Sequence, residues 1–167
     1  MKLVLPLAAA LALTAGLSRA GGTVAVPRCH TPELRVYLVG GGGAAGTIVS
    51  DIAFRNRSGH TCFVFGYPGL GLESARHFLL PSRVTWGSTP ARRDPRPHRV
   101  VLRRGRAVYA NLSWSDVPVG SERCVQPRWL EVTPPDEFTH RIVPFKAPVC
   151  SHGHLTVTAL SQTRTPR

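Results

Sequence analysis

Two histidines, one residue apart, form the clearest candidate for metal chemistry in this sequence. His152 and His154 belong to the run Cys-Ser-His-Gly-His at 150–154. Alternate side chains of an extended segment point to the same side, so both imidazoles could reach one ion. Copper and zinc both accept imidazole ligands. The pattern therefore defines His152 and His154 as a weak candidate metal pair.

A metal site here would need at least one more ligand. His30 and His60 are candidates if disulfides gather them, since each lies close to a cysteine in the sequence. Cys150 could not act as a thiolate ligand if it forms a disulfide. The interpretation we favour is a pair of exposed loop histidines without a metal, and we expect no cofactor.

Hydrolytic chemistry lacks a recognisable motif. Serine, histidine and acidic residues are all present, but no serine sits in a Gly-x-Ser-x-Gly elbow. Asp136 and Glu137 follow two prolines, where solvated acids are ordinary, and few other acids remain for paired-carboxylate catalysis. We predict that the protein is not an enzyme. The alternative is a metal-handling (copper or zinc) or hydrolytic protein that uses His152 and His154.

A basic, proline-broken segment at 92–99 is the candidate binding region. Its sequence is RRDPRPHR. Proline lacks an amide donor and disfavours a central strand, which predicts a surface loop. Arginine binds phosphate or carboxylate groups through two parallel hydrogen bonds. We therefore predict that an anionic partner contacts Arg92, Arg93, Arg96 and Arg99.

The charge of the whole chain also favours anionic partners. The formal net charge is +12, with 21 lysines and arginines against nine acids. Such a charge attracts anionic envelope polymers or lipids, although arginines spread along the chain could serve solubility alone. Nucleic-acid binding would want basic residues interleaved with exposed aromatics, and Trp86 near Arg83 and Arg92-Arg93 is the one hint of that pattern. Nucleic acid is not expected, because an exported protein rarely meets cytosolic nucleic acid. An unnamed protein partner is a further alternative, and we expect a monomer.

The N-terminus predicts export. A short positive start and an apolar run at 3–17 precede small residues around Ala20, which is the layout of a secretory signal peptide. The apolar run is shorter than the roughly 20 residues that span a bilayer. We therefore predict cleavage after Ala20 and no transmembrane anchor afterwards. The expected location is extracellular or in the cell envelope.

Four cysteines in an exported chain predict two disulfides. Three pairings are open, and no Cys-x-x-Cys motif suggests redox or zinc chemistry. Sequential pairing joins neighbours in both halves of the chain, so we favour Cys29–Cys62 and Cys124–Cys150. In the chain-entropy model, each loop closure contributes about 3–4 kcal/mol.

Alternating apolar and polar residues predict an all-β fold. About eight short strands are expected, at 34–39, 48–55, 62–65, 100–102, 108–114, 129–132, 141–145 and 155–160. The segments 78–80 and 84–86 are candidate edge strands, and no helix is predicted after Ala20. Short strands separated by glycine and proline turns favour an immunoglobulin-like antiparallel β-sandwich.

The segment at 46–72 is expected to organise this sandwich. A strand at 48–55 would turn at Asn56–Gly59 and return at 62–65, with a second turn at Tyr67–Gly69. Asparagine and glycine suit the first turn because they tolerate positive φ. The glycines at 40–46 are expected to form a flexible connection. They do not predict a phosphate loop, because a strand follows them and not a helix.

A family resemblance rests on these same turns. The run NRSGHTC at 56–62, followed by GYPG at 66–69, is similar to the central motif of the domain of unknown function (DUF) 4232 family. Further similarities are Cys29, the segment 43–46, Leu102, Gly105, Ala107, Leu112, Trp114, Cys124, Pro134, Pro135 and Cys150. The resemblance runs from Cys29 to Leu160 and departs at 73–99. Members of the family are exported proteins, mostly from actinobacteria, so the resemblance implies export and an immunoglobulin-like fold. It implies no activity or site.

The predicted organisation is one domain behind a cleaved leader. The segments are a signal peptide at 1–20, a linker at 21–28, a β-sandwich domain at 29–160 and a tail at 161–167. The predicted function is that of an exported, non-catalytic binding module whose basic loop contacts an anionic partner.

Overall fold

The computed structural model describes residues 25–164, which are mostly β-structure. The signal peptide predicted for 1–20 lies outside the described residues, as do 21–24 of the linker and 165–167 of the tail. Within the described part, no helix is long and apolar enough to cross a membrane.

Eleven strands and one short helix form this part of the chain, after a 3₁₀ turn at Thr31–Glu33. The strands are β1 (Leu34–Ala44), β2 (Thr47–Asn56), β3 (Cys62–Phe65), β4 (Gly69–Glu73), β5 (Leu79–Leu80), β6 (Arg83–Trp86), β7 (Arg99–Leu102), β8 (Ala107–Ser115), β9 (Trp129–Thr133), β10 (Arg141–Pro144) and β11 (His154–Val157). The helix α1 covers Cys150–Gly153, and three of its four residues have positive φ, so it is not a regular helix.

The largest sheet has five strands in the order β1-β2-β8-β11-β6. β2 pairs antiparallel with both β1 and β8, so both of its hydrogen-bonding edges are occupied. β11 continues the sheet antiparallel to β8 and pairs in parallel with β6. The register places Arg35 of β1 opposite Arg55 of β2.

Two smaller sheets complete the fold. Four strands pair in the order β10-β9-β4-β5, and β3 pairs with β7. Buried apolar residues from all three sheets join one core cluster, which includes Phe54, Val64, Leu112 and Leu130. Each such side chain contributes about 1.5–3 kcal/mol by leaving water. The three sheets therefore share one hydrophobic core.

The hairpin predicted at 46–72 is not formed. β3 does not return along β2, because β1 and β8 already occupy both edges of β2. Instead, β3 pairs antiparallel with β7, with Cys62 opposite Leu102. The turn after Asn56 therefore carries the chain from the five-stranded sheet to the β3–β7 pair.

The glycines at 40–46 were predicted as a flexible connection and Gly69 as the end of a turn, and the structure places Gly40–Gly43 and Gly69 in strands. Gly40–Gly43 belong to β1, which changes register between Val39 and Gly42. Gly69–Glu73 form β4, which pairs with both β5 and β9. Glycine weakens the alternating pattern by which a strand is recognised in a sequence, because it has no side chain to pack. With β4 and the two edge strands β5 and β6, the described residues contain three more strands than the eight predicted.

Two disulfides fasten the chain in the sequential pairing. Cys29 is joined to Cys62 and Cys124 to Cys150, and no described cysteine is free. The first bond ties the segment before β1 to the start of β3. The second ties the loop before β9 to α1, which precedes β11. Each disulfide therefore connects segments that lead into two different sheets.

Candidate anion-binding surface

Arg92, the first arginine of the predicted basic loop, is directed inward. Its guanidinium donates to the carbonyl of Thr163 at 2.6 Å and to the hydroxyls of Ser161 and Thr163, each at 2.7 Å. These bonds fix the C-terminal segment against the loop. Arg92 therefore has a structural role, with both of its terminal nitrogens bonded within the chain.

Arg99, at the other end of the loop, is also held by the protein. One terminal nitrogen donates to the carbonyl of Val26 at 2.9 Å. Its guanidinium carbon lies 4.0 Å from the centre of the Phe63 ring, within cation–π distance. Two of the four predicted contact residues thus stabilise the fold.

Arg93 and Arg96 differ from Arg92 and Arg99. Both are exposed, and neither side chain makes a hydrogen bond or ion pair to another residue within 25–164. Arg96 has a φ of 59°, a left-handed conformation that is uncommon for arginine. The loop therefore presents two available guanidinium groups, not four.

Asp94 anchors the loop between these arginines. Its carboxylate accepts hydrogen bonds from the Tyr67 hydroxyl at 2.5 Å and from the Ala159 amide at 2.8 Å. The bond to Asp94, together with burial, raises the pKa of Tyr67 to about 12. The Tyr67 ring also stacks on Trp86, with centroids 5.3 Å apart. The loop is thus attached to β6 and to the segment after β11.

The histidine pair predicted for metal chemistry lies around α1. The His152 side chain is 89% exposed, and its Nε2 is 4.0 Å from a Glu122 carboxylate oxygen. His154 Nε2 instead makes a 2.8 Å hydrogen bond with Thr85. Partial burial and the nearby Arg83 hold the pKa of His154 below its ordinary value. The other candidate ligands are engaged elsewhere, His30 with Glu137 and His60 with Glu33.

Among the described residues, two groups bring three ligand atoms within 4.8 Å of one another, and neither includes His152 or His154. One contains Glu122 with Cys124 and Cys150, whose sulfurs are in a disulfide. The other contains Glu73, Glu131 and His140. In this second group Glu73 is hydrogen-bonded to His77, and Glu131 pairs with His140. These side chains therefore already have partners within the protein.

Glu137 shows how this protein uses its acids. The sequence context predicts a solvated carboxylate, but Glu137 accepts hydrogen bonds from the amide and hydroxyl of Thr31, both at 2.9 Å. Burial alone would raise the pKa of Glu137, but the bonds from Thr31 and His30 outweigh it and hold the pKa below its ordinary value. Asp136 is likewise not free, because it pairs with Arg28.

Eight of the nine acidic side chains contact a partner inside the chain, and most of these partners are not arginines. Five acids pair with a histidine, and Asp94 binds Tyr67. Among the described residues, Arg28 and Arg164 are the two arginines that pair with a carboxylate. The acids therefore neutralise little of the arginine charge, which remains on the surface.

Part of this charge collects where β1 and β2 meet the turn between β7 and β8. We call this surface the arginine track, and it consists of Arg35, Arg55, Arg57, Arg104 and Arg106. All five are exposed, and none forms an ion pair within residues 25–164. Arg55 Nε donates to the Gly105 carbonyl at 3.0 Å, which joins β2 to the turn.

Three neighbouring concavities lie along the arginine track. The middle one, about 310 Å³, is lined by Arg35, Arg55, Arg57 and Arg104. A second of about 390 Å³ shares Arg35 and Arg57 with it. A third of about 290 Å³ shares Arg55 and adds Arg106. No described Asp or Glu lines any of the three.

Strand alternation could have identified part of this surface from sequence. Arg35 shares a face of its strand with Tyr37, and Arg55 shares a face with Ala53 and Asp51. The missing information was the pairing of β1 with β2 in a register that sets Arg35 opposite Arg55. Strands at 100–102 and 108–114 were predicted, but not that the turn between them bonds to Asn56 of β2, which is the contact that sets Arg104 and Arg106 beside Arg55.

Comparison with known families gives a match over most of the chain. A family model described as "Domain of unknown function (DUF4232)" matches residues 29–161. Comparison with curated proteins and with solved structures gives no match. The matched region contains both disulfides, the basic loop and the arginine track.

Proposed function

The chain belongs to the DUF4232 family of domains of unknown function, and from its surface we propose that it is a non-catalytic binding protein of the cell envelope or extracellular space whose partner is anionic. In this proposal the β-rich scaffold is an immunoglobulin-like sandwich that presents charged loops. Loops on a rigid scaffold commonly carry binding residues.

The uncompensated arginine charge is the observation that carries this proposal. Carboxylates in this protein pair chiefly with histidines, backbone amides and hydroxyls. Arginine side chains such as Arg93 and Arg96 consequently face solvent. A surface charge of one sign raises the local concentration of oppositely charged partners and speeds their association.

Two features support a location outside the cytoplasm. Both pairs of cysteines are joined in disulfides, which persist in oxidising compartments and are rare in the cytosol. The first twenty residues have the layout of a signal peptide. The proposal therefore places the partner outside the membrane, where envelope polymers and lipid headgroups carry negative charge.

The distribution of titratable groups supports a binding role over catalysis. Tyr67, Glu137 and His154 have shifted pKa values, and each is bonded to a structural partner. Active sites usually bring such perturbed groups together in one cleft. Among the described residues, neither His152 nor His154 belongs to a group of three potential ligand atoms, which makes the metal-handling alternative less well supported.

Binding to anionic surfaces across a range of ionic strength tests the proposal. The mature protein should bind vesicles containing anionic lipid or an anionic envelope polymer, and it should not bind neutral vesicles. Binding should weaken as salt rises, because salt screens exposed charges. Absence of binding to every anionic surface at low salt would contradict the proposed function and favour a specific protein partner.

Matched variants locate the contact. If the basic loop is the contact, the double variant Arg93→Gln with Arg96→Gln should weaken binding more than a charge-matched control. The control, Arg76→Gln with Arg123→Gln, removes the same charge from exposed positions outside the loop and the track. Metal analysis of the same preparations tests the alternative. Stoichiometric copper or zinc that disappears in His152→Ala would favour a metal-handling protein.

A further inference from the structure

We propose that the arginine track is the principal binding site, and that its ligand is a linear polymer bearing repeated phosphate groups. The inference rests on the proposed function, because both require an anionic partner. It goes further in naming a surface other than the predicted loop and in naming the chemistry of the partner.

The first argument is the arrangement of charge. Arg35 and Arg55 are directly opposed on neighbouring antiparallel strands, and like charges in such a pair destabilise a sheet. No carboxylate within residues 25–164 is paired with either of them. An anion seated between the two guanidinium groups would remove this repulsion, so the folded protein already contains an unfavourable charge arrangement that binding would relieve.

The second argument is the rigidity of the surface beneath the arginines. Asn56 is fully buried, and its amide donates to the carbonyls of Leu102 at 2.9 Å and His60 at 2.8 Å. The backbone of Asn56 is bonded to the turn on both sides, to the Arg106 carbonyl and the Gly105 amide, each at 2.9 Å. Strands β2 and β7 and the turn between β7 and β8 are therefore fixed relative to one another. A preorganised site loses less conformational freedom when it binds.

The third argument is the shape of the surface, which favours a polymer over a single ion. The three concavities are joined by shared arginines, Arg35 and Arg57 on one side and Arg55 on the other. A guanidinium that borders two concavities can contact successive anionic groups of one chain. Guanidinium groups also match the oxygens of phosphate in paired hydrogen bonds.

Arg92 offers a contrast that supports the assignment. Its donors are used by Ser161 and Thr163. In the track, Arg55 donates from Nε to the Gly105 carbonyl, and its terminal nitrogens make no hydrogen bond to another described residue. The guanidinium of Arg35 lies 5.5 Å from the Tyr37 ring centre, a contact that leaves all its donors available.

Calorimetric titration with inorganic polyphosphate tests the inference, with orthophosphate as the single-ion comparison. At low ionic strength the wild-type protein should bind polyphosphate at least about tenfold more tightly than orthophosphate, because several arginines act together. The double variant Arg35→Gln with Arg55→Gln should lose about tenfold or more in polyphosphate affinity. The charge-matched control, Arg76→Gln with Arg123→Gln, should lose much less.

Three outcomes separate this inference from the proposed function. If Arg93→Gln with Arg96→Gln abolishes polyphosphate binding while the track variant retains it, the track assignment is wrong and the proposed function stands. Binding of anionic vesicles without any binding of polyphosphate would also overturn the track assignment alone. Absence of both would overturn the two together. Circular dichroism of each variant, compared with the wild type, verifies that a loss of binding is not a loss of fold.

Discussion

The basic loop and the arginine track contain similar numbers of arginines, but more of the loop arginines are bonded within the protein. In the loop, Arg92 and Arg99 bind the protein's own carbonyls, hydroxyls and an aromatic ring. In the track, Arg35 and Arg55 face each other across two strands without a carboxylate partner. The basic loop is a dense run of charge in the sequence, but it presents fewer available arginines than the track. The track arginines are distant in the sequence and are brought together by strand pairing.

The difference follows from backbone geometry. A proline-rich loop has few backbone hydrogen bonds of its own, so its side chains and Asp94 hold it in place. Strands satisfy their backbone groups through the sheet ladder. Arg35 on β1 makes no hydrogen bond to another described residue, and Arg55 on β2 makes one, to Gly105. Most of their donors are therefore available to a ligand, whereas Arg99 at the start of β7 is held by Val26. Variants that separate structural from available arginines test this distinction.

Removing the support of the track should have the largest effect. Asn56→Ala removes the side-chain bonds to the buried Leu102 carbonyl and to the His60 carbonyl, so we expect a loss of about 3 kcal/mol in the free energy of unfolding. Urea denaturation measures it. Ser58→Ala removes only the exposed side of this network and should cost less than about 1 kcal/mol. Equal losses in the two variants would contradict a supporting role for Asn56.

Within the loop, neighbouring arginines should behave differently. Arg92→Ala should destabilise the protein by about 1 kcal/mol through its lost hydrogen bonds, whereas Arg93→Ala should leave stability within about 0.5 kcal/mol of wild type. Thermal unfolding of the two variants makes the comparison with the charge change held constant. A larger loss for Arg93→Ala than for Arg92→Ala would reverse the assigned roles.

The anchor of the loop should respond to alkaline pH. Its bond to Asp94 raises the pKa of Tyr67 from 10.0 to about 12, so the folded state holds this proton more tightly than the unfolded state. The stabilisation is fully present below pH 10.0 and is lost as pH rises through about 12. Unfolding measured across this window should show a steeper decline in the wild type than in Tyr67→Phe. Parallel curves would mean that the bond to Asp94 contributes nothing.

The smallest effect is expected from relieving repulsion in the track. Arg35→Gln removes one of two like charges directly opposed on β1 and β2, which should leave stability unchanged or raise it by about 0.3 kcal/mol at low salt. The gain should vanish as salt rises. A clear destabilisation by Arg35→Gln would show that the residue supports the fold, and the availability argument for the track would fail.

Local patterns predicted much of the scaffold. Alternation identified long strands such as Ala107–Ser115, whose apolar face is buried, and spacing favoured the disulfide pairing that the structure contains. β4 was missed because Gly69 and Gly71 removed the side chains that mark a strand. The glycines of β1 were misassigned for the same reason.

Pairing between strands could not be predicted from these patterns. The sequence from Thr47 to Phe65 looks like a hairpin, because a turn with asparagine and glycine separates two apolar segments. The amide of Asn56 instead bonds to Leu102 in β7, far along the chain. Which strands meet depends on such distant contacts, and the arginine track exists only as a result of that pairing.

The most direct test of the central claim is nuclear magnetic resonance of the arginine side chains. The Nε–Hε signals are followed while inorganic polyphosphate is added to the isotopically labelled mature protein, with each signal assigned through an Arg→Gln variant. Signals of the track, Arg35, Arg55, Arg57, Arg104 and Arg106, should shift with one common affinity, while the structurally engaged Arg92 and Arg99 remain unchanged. Shifts confined to Arg93 and Arg96, or the absence of any shift, would contradict the account.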